Sequence, residues 1–197
     1  MLETIRKSAL AGLLISLAGA VFLRCDNAIA GAALFSVGLL AVLLLGADLF
    51  TGKIGYAKDL RSFSSCGVML FVNLGVAALL GWLFSLASGG GISAMASRLE
   101  KPVWRTLLDS AGCGALIYIA CEGWAKSKSP LIPIGCVMAF ILAGFEHCVA
   151  DAFYLGASGI SWQGLGFVFL VALGNSVGSL AIRWLQVGIR EIFKKKE

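Results

Sequence analysis

The sequence predicts an all-α polytopic membrane protein of six transmembrane helices, built as two inverted halves of three. Three observations lead there. Apolar residues make up 59% of the 197 and charged residues only 14%, with a mean hydropathy of +0.91; soluble domains carry about a quarter charged residues. Nearly uncharged runs recur at about the ~20 residues that a helix needs to cross a bilayer. Finally, the chain echoes itself. Gly46-Ala47-Asp48 closes one run and Gly144-Phe145-Glu146 closes another, and the next run in each case holds an asparagine, Asn73 or Asn175.

The first run, residues 8–23, follows Arg6 and Lys7. Its basic start and short apolar core resemble a signal peptide, but it is long enough to span with its flanks, and more spans follow, so it is read as a helix. Asn27 marks a turn into residues 28–47, a run that ends in Asp48, Thr51, Gly52 and Lys53, where a break in the helix is expected. Irregular backbone at membrane depth survives only where it is buried in protein or lines a cavity. Residues 66–87 form the third span, and a flexible external-type loop is expected from Ser88 to Pro102. The fourth span covers about 104–124, with a start that Arg105 and Asp109 place a turn later. The fifth, about 131–155, is interrupted at Glu146-His147, and the sixth is 165–185.

Six spans put both termini on one side. That side then carries Arg6, Lys7, Lys53, Lys58, Arg61, Lys126, Lys128, Arg183, Arg190, Lys194, Lys195 and Lys196, against Arg24, Arg98, Lys101 and Arg105 on the other. Twelve against four makes the termini cytoplasmic and the protein multi-pass in the cell membrane. The chain is expected to be one transmembrane domain over 1–197, with halves at about 1–90 and 100–190. Three spans per half is odd, so the halves lie upside down relative to each other. Paired interrupted helices in inverted repeats place a transport site near the midplane between the breaks.

His147 is the only histidine, and it lies beside Glu146 at membrane depth. Ionisable groups there are costly and usually face water or a bundle interior. His147 is therefore the leading functional candidate, with a structural hydrogen bond between helices as its bland alternative. Asp48 and Glu146 are expected to hold the broken helices by accepting backbone or asparagine N–H bonds. Thr51 could cap the short helix that follows or meet substrate. Asn175 is expected to tie loop backbone; for Asn73 both roles stay open.

Other classes find little support. Basic residues are not interleaved with aromatics on a polar segment, so no nucleic-acid partner is expected. The six cysteines show no C-x-x-C pair or metal-ligand spacing and read as small hydrophobes. A metal-dependent intramembrane enzyme using Glu146, His147 and Asp151 is an alternative from a different class, with His147 and Asp151 on one helix face. A catalytic zinc normally wants three protein ligands, and the chain has no second histidine. No phosphate loop or nucleophile–base motif occurs, so neither enzyme nor cofactor is expected. Glycines such as Gly12, Gly19 and Gly38 suit close helix packing, and Trp82, Trp104, Trp124, Trp162 and Trp184 fall near span ends as an interfacial belt would.

The sequence resembles the formate/nitrite transporter family, through Phe35-Ser-Val-Gly-Leu39, Gly46-Ala-Asp-Leu-Phe-Thr-Gly52 and Asn73-Leu74, then Phe140, Gly144-Phe-Glu-His-Cys-Val-Ala150, Phe153 and Gly174-Asn175-Ser-Val-Gly178. The resemblance implies an aquaporin-like protomer in a homopentamer, each with its own pore for small monovalent anions or their acids. It makes Phe35, Leu39, Phe140 and Phe50 constriction residues, and Thr51 and Asn73 polar pore contacts around His147. Lys101 is the nearest candidate for the family's lysine before span four, a vestibule cation. Lys53 departs from the asparagine or small polar residue more usual there, and the N-terminal amphipathic segment of larger members is not matched.

A bare carboxylate in hydrocarbon is worse than its neutral acid by roughly tens of kcal/mol. Phe and Leu cannot solvate an anion, so constrictions built of them favour a neutral or partly protonated permeant, with Thr51, Asn73, His147 and backbone N–H groups at helix ends as donors between them. The expected function is a proton-linked channel for formate or nitrite. Hydrosulfide or a short monocarboxylate such as acetate or lactate is the alternative cargo.

Overall fold

The computed structural model describes residues 1–194, with side chains described through 188. Lys195 and Lys196 of the basic tail lie outside the described residues, as do the side chains of Arg190 and Lys194. All regular structure among the described residues is helical. Helix α1 spans Leu2–Phe22 and α2 Ala28–Leu44. Helix α3, Phe50–Lys53, runs into a 3-10 turn at Ile54–Tyr56. Then come α4 (Leu60–Ala87), α5 (Ala96–Leu99), α6 (Val103–Ser127), α7 (Leu131–Leu142), α8 (Cys148–Ser158) and α9 (Trp162–Lys194).

Local chemistry sets the starts and stops. The Asn27 side chain accepts from Ala30 N–H to open α2. Asp59 and Ser62 form a reciprocal capping box that starts α4 six residues before the apolar run begins. The two halts that matter most are alike. Gly46 and Gly144 adopt φ of +62° and +70°, a left-handed conformation that other residues rarely take. Around each, the next N–H folds back five residues, Ala47 to Val42 O (3.0 Å) and Phe145 to Phe140 O (2.9 Å). This is a Schellman stop. It ends α2 and α7 in mid-run, and each chain then crosses five non-helical residues before α3 or α8 begins.

The packing repeats as well. Helix α1 lies against α2 and α4, and α6 lies in the same way against α7 and α9. Contact of α2 with α7 joins the two sets, while α8 packs across onto α4 and the 3-10 turn onto α9. Small residues make the close crossings. A Cβ at Gly156 would run into the Ala78 carbonyl, and one at Gly178 into that of Ala111. Backbones can approach this closely only without side chains between them.

The molecule is apolar outside and polar within. Phe71, Leu173, Val177 and Trp184 are more than half exposed, whereas Asn73, Asn175, Glu146, His147 and Asp151 are buried. That is the distribution a lipid solvent selects.

The structure changes several expectations. Helices α1, α4 and the Trp162–Gly188 part of α9 are long and apolar enough to cross a membrane. Helices α2 and α7, of 17 and 12 residues, reach about 25 and 18 Å at 1.5 Å per residue, short of a core about 30 Å thick. Helix α6 has the length but carries Arg105, Asp109, Glu122 and Lys126. It begins at Val103, not a turn later, so Arg105 and Asp109 pair at i, i+4 within it (2.9 Å). The expected flexible loop is partly ordered: it contains α5, and Met95 there is only 2% exposed. Tucking in that stretch brings Arg98 against α8 and Lys101 against the break before it.

Candidate functional site

Two buried asparagines fix the breaks in the same way. Asn73 on α4 accepts from Phe50 N–H (2.8 Å) and donates to Ser8 O (2.7 Å) and Asp48 O (3.2 Å). Asn175 on α9 accepts from Cys148 N–H (3.0 Å) and donates to Ser110 O (2.8 Å) and Glu146 O (2.9 Å). Each amide thus ties the first N–H of a short helix to the preceding irregular segment and to the first helix of its own set. In both the serine lies 65 residues before the asparagine. Asn175 thereby ties the backbone around the second break. Asn73, expected at the substrate path, instead spends both amide hydrogens and its oxygen on backbone.

At the level of the breaks, His147 is the N-cap of α8. Its Nδ1 accepts from Ala150 N–H (3.3 Å), which leaves the ring hydrogen on Nε2, donated to Thr51 Oγ1 at 2.9 Å. The two side chains, 96 residues apart in sequence, are 3% and 1% exposed. The capping alternative for Thr51 does not hold, because Leu49 is the N-cap of α3 and makes no side-chain cap bond. Thr51 accepts from His147, and its own hydroxyl hydrogen has no further partner among the described residues. The imidazole also stacks on Phe140, with ring centroids 6.0 Å apart.

One cavity reaches His147, a second reaches Gly52 and Lys53 beside Thr51, and Thr51 itself lines neither. The first, of about 210 Å³, is lined by Phe35, Phe140, His147, Arg98, Lys101 and Glu146 among others. The second, of about 400 Å³, is lined by Leu39, Gly52, Lys53, Tyr56, Trp124 and Lys128 among others. Phe35 and Leu39 lie one turn apart on α2, so one face of that helix serves both cavities. Phe35 meets Phe140 edge to face across the first, at 6.3 Å between centroids. Phe50, expected at a constriction, lines neither cavity; it is buried in the core.

The first cavity is rimmed with paired charges. Lys101 Nζ reaches Glu146 Oε1 (2.6 Å), Asp109 Oδ2 (3.0 Å) and Gly144 O (2.9 Å), using all three of its hydrogens. Arg98 Nε lies 3.1 Å from Glu146 Oε2 and 3.4 Å from Asp151 Oδ1, and its guanidinium sits 4.6 Å from the Tyr154 ring. Burial works against the charge on both cations, but the carboxylates around them more than offset it and hold both above their usual pKa. Glu146 was expected to brace the break with its carboxylate. The structure divides the work differently: its carbonyl accepts from Asn175, and its carboxylate takes Lys101 and Arg98. Asp48 repeats this, its carbonyl bound to Asn73 and its carboxylate 3.3 Å from Lys53.

Backbone donors at the breaks are scarcer than expected. At α8 the N–H groups of Cys148, Ala150 and Asp151 are all engaged, and at α3 those of Phe50, Gly52 and Lys53. No group of three His, Cys, Asp or Glu side chains among the described residues is placed to hold a metal. Asp151 turns to Arg98, and both ring nitrogens of His147 are committed, so the metal-ligand alternative has no geometry behind it. Sequence reasoning missed Arg98 altogether. Its position between a glycine run and Pro102 reads as solvent-exposed loop, and only the fold of 92–101 reveals it.

Comparison with known proteins gives a consistent picture. The family described as "Formate/nitrite transporter" matches residues 1–189. The formate channel BtFdhC of Bacillus thuringiensis is 28% identical over 174 residues, which covers 75% of this chain and 67% of that protein. Among solved structures, an "FNT family ion channel" superposes with a TM-score of 0.86 at 21% identity, over 96% of this chain and 90% of that one. A "pentameric formate channel with formate bound" gives 0.76 at 18%, over 99% and 97%. These two likenesses establish the fold.

Proposed function

The chain belongs to the formate/nitrite transporter family, a family of membrane channels and not of enzymes, and on that premise we propose that it conducts formate or nitrite together with a proton. The observation that carries this reading is the buried Thr51–His147 hydrogen bond, with one cavity reaching His147 and a second reaching Gly52, the residue after Thr51.

In this reading the chain makes six crossings, with α2–α3 and α7–α8 as broken spans and two inverted halves at about 1–90 and 100–190. Both termini are cytoplasmic, which puts the cavity with Lys53 and Lys128 inside and the one with Arg98 and Lys101 outside the cell membrane. The protein assembles as a homopentamer with one path per protomer, as its likeness to the pentameric formate channel supports.

Each step follows from the residues. Lys101 and Arg98 draw an anion into the outer cavity, where their carboxylate partners keep them from trapping it. At Phe35, Phe140 and Leu39 no group can replace the anion's water, and the neutral acid passes at far lower cost than the anion. Between these walls the Thr51 hydroxyl, fixed by His147, offers its hydrogen to a permeant oxygen. Asn73 and Asn175 hold the irregular segments that keep His147 and Thr51 in reach.

The test is flux. The purified protein in liposomes is expected to speed entry of formate or nitrite well above that of protein-free vesicles. Faster entry of hydrosulfide or lactate with no effect on formate or nitrite would replace the cargo, and no acceleration of any of the four would overturn the reading.

A further inference from the structure

Resting on that proton-linked reading, we propose that Glu146 and Asp151 hold one proton between them in the outer cavity, and that this carboxyl pair, rather than His147, hands the proton to the incoming anion.

The geometry begins with a shortage of donors. Glu146 and Asp151 are 3% and 1% exposed, and both turn an oxygen to the same Arg98 Nε, at 3.1 and 3.4 Å. One N–H cannot serve two oxygens at full strength. Glu146 is also supplied by Lys101 at 2.6 Å; Asp151 has no second cation bonded to it, and its Oδ2 is buried without any partner among the described residues. The two carboxyl groups thus lie against one guanidinium N–H. Like carboxylates this close in a desolvated site do not both ionise readily. One proton turns an oxygen of the pair from acceptor into donor, which removes both the repulsion and the orphaned acceptor.

Every charged or titratable group around Asp151 fits this count. Arg98 faces it from α5, Lys101 from the stretch before α6, Glu146 and His147 from the break, and Cys113 from α6. Cys148 and Tyr154 share its helix. Asp109 is neutralised between Lys101 and Arg105. Three cations then stand against three carboxyls, and one shared proton leaves the cavity with a single positive charge. An entering anion brings it to neutrality. The proton then moves from the pair to an anion oxygen: one O–H bond breaks, another forms, and neutral acid is left beside two carboxylates balanced by Arg98 and Lys101. The pair regains its proton from the outer solution. His147 is poorly placed for this exchange, since one ring nitrogen accepts from Ala150 N–H and the other donates to Thr51.

Asp151→Asn keeps the shape and removes the shared proton. The first readout needs no transport: at pH 7 the wild type should show the infrared C=O band of a protonated carboxyl, and D151N should lack it. The second is formate entry into liposomes. D151N is expected to lose about tenfold or more at external pH 7, with the deficit shrinking as external pH falls and formic acid arrives already protonated. Elution like wild type in detergent checks assembly. Identical infrared spectra would overturn the proposal, as would a D151N pH profile parallel to wild type. A wild type that shows the band but moves no anion would instead overturn the transport reading and leave the proton pair standing.

Discussion

Replacing Asn175 by leucine removes three hydrogen bonds while keeping the number and branching of the side chain's heavy atoms. The Cys148 N–H loses its acceptor, and the carbonyls of Glu146 and Ser110 lose a donor. A buried backbone group left unpaired costs about 1–3 kcal/mol. Ser110 O, in mid-helix, retains its helical partner, so the full cost falls on the N–H and part of it on Glu146 O. Bonds between helices in membranes average only about 0.6 kcal/mol, because the unfolded chain finds other partners there. The two limits bracket a loss of about 2–5 kcal/mol. At about 2–4 °C per kcal/mol for a chain this size, a central loss of 3 kcal/mol lowers the melting temperature by about 6–12 °C. Thermal unfolding of purified protein in detergent reads this directly. The duplicate network sharpens the test, because Asn73→Leu breaks the corresponding three bonds and should cost a similar amount. Either variant melting within about 1 °C of wild type would refute the role given to these amides.

Two further outcomes follow. Gly178→Ala should be far worse than a typical surface change, since its Cβ would strike the Ala111 carbonyl, part of a rigid helix; loss of the folded oligomer on size exclusion is expected, whereas Gly166→Ala, with open space around it, should behave as wild type. Lys101 is held above its ordinary 10.5 by Glu146 and Asp109 against the opposing effect of burial. Its folded pKa exceeds its unfolded one, so its contribution to stability is complete below pH 10.5 and lost as pH rises through the folded value. The melting temperature should fall on that alkaline limb, and Lys101→Arg, which stays charged, should flatten it.

The breaks were legible because they violate local rules. A glycine followed closely by an acid at the end of an apolar run is a helix stop, and an asparagine inside an apolar run must bond to something. The repetition of both signals carried the expectation of a three-plus-three pattern. Which partner each group takes was not legible. Glu146 and Asp48 looked like side-chain acceptors, yet their carbonyls meet the asparagines. The Thr51–His147 bond joins residues 96 apart in sequence, and no periodicity along the chain encodes that distance. Lys101 was found, but Arg98 was not, because three glycines ahead of it signal an exposed loop while burial there comes from contacts made by the fold. Asp151 was weighed only as a metal ligand, for want of any sign that an arginine would face it.

The central claim is that permeation passes the buried His147–Thr51 contact. Formate entry into liposomes, followed by stopped flow from pH 5 to 8 on wild type and His147→Phe, tests it most directly. The expected result is rapid wild-type entry and much slower entry through the variant at every pH in that range, because Thr51 loses the partner that fixes its hydroxyl. Entry as fast as wild type through a correctly assembled variant would contradict it.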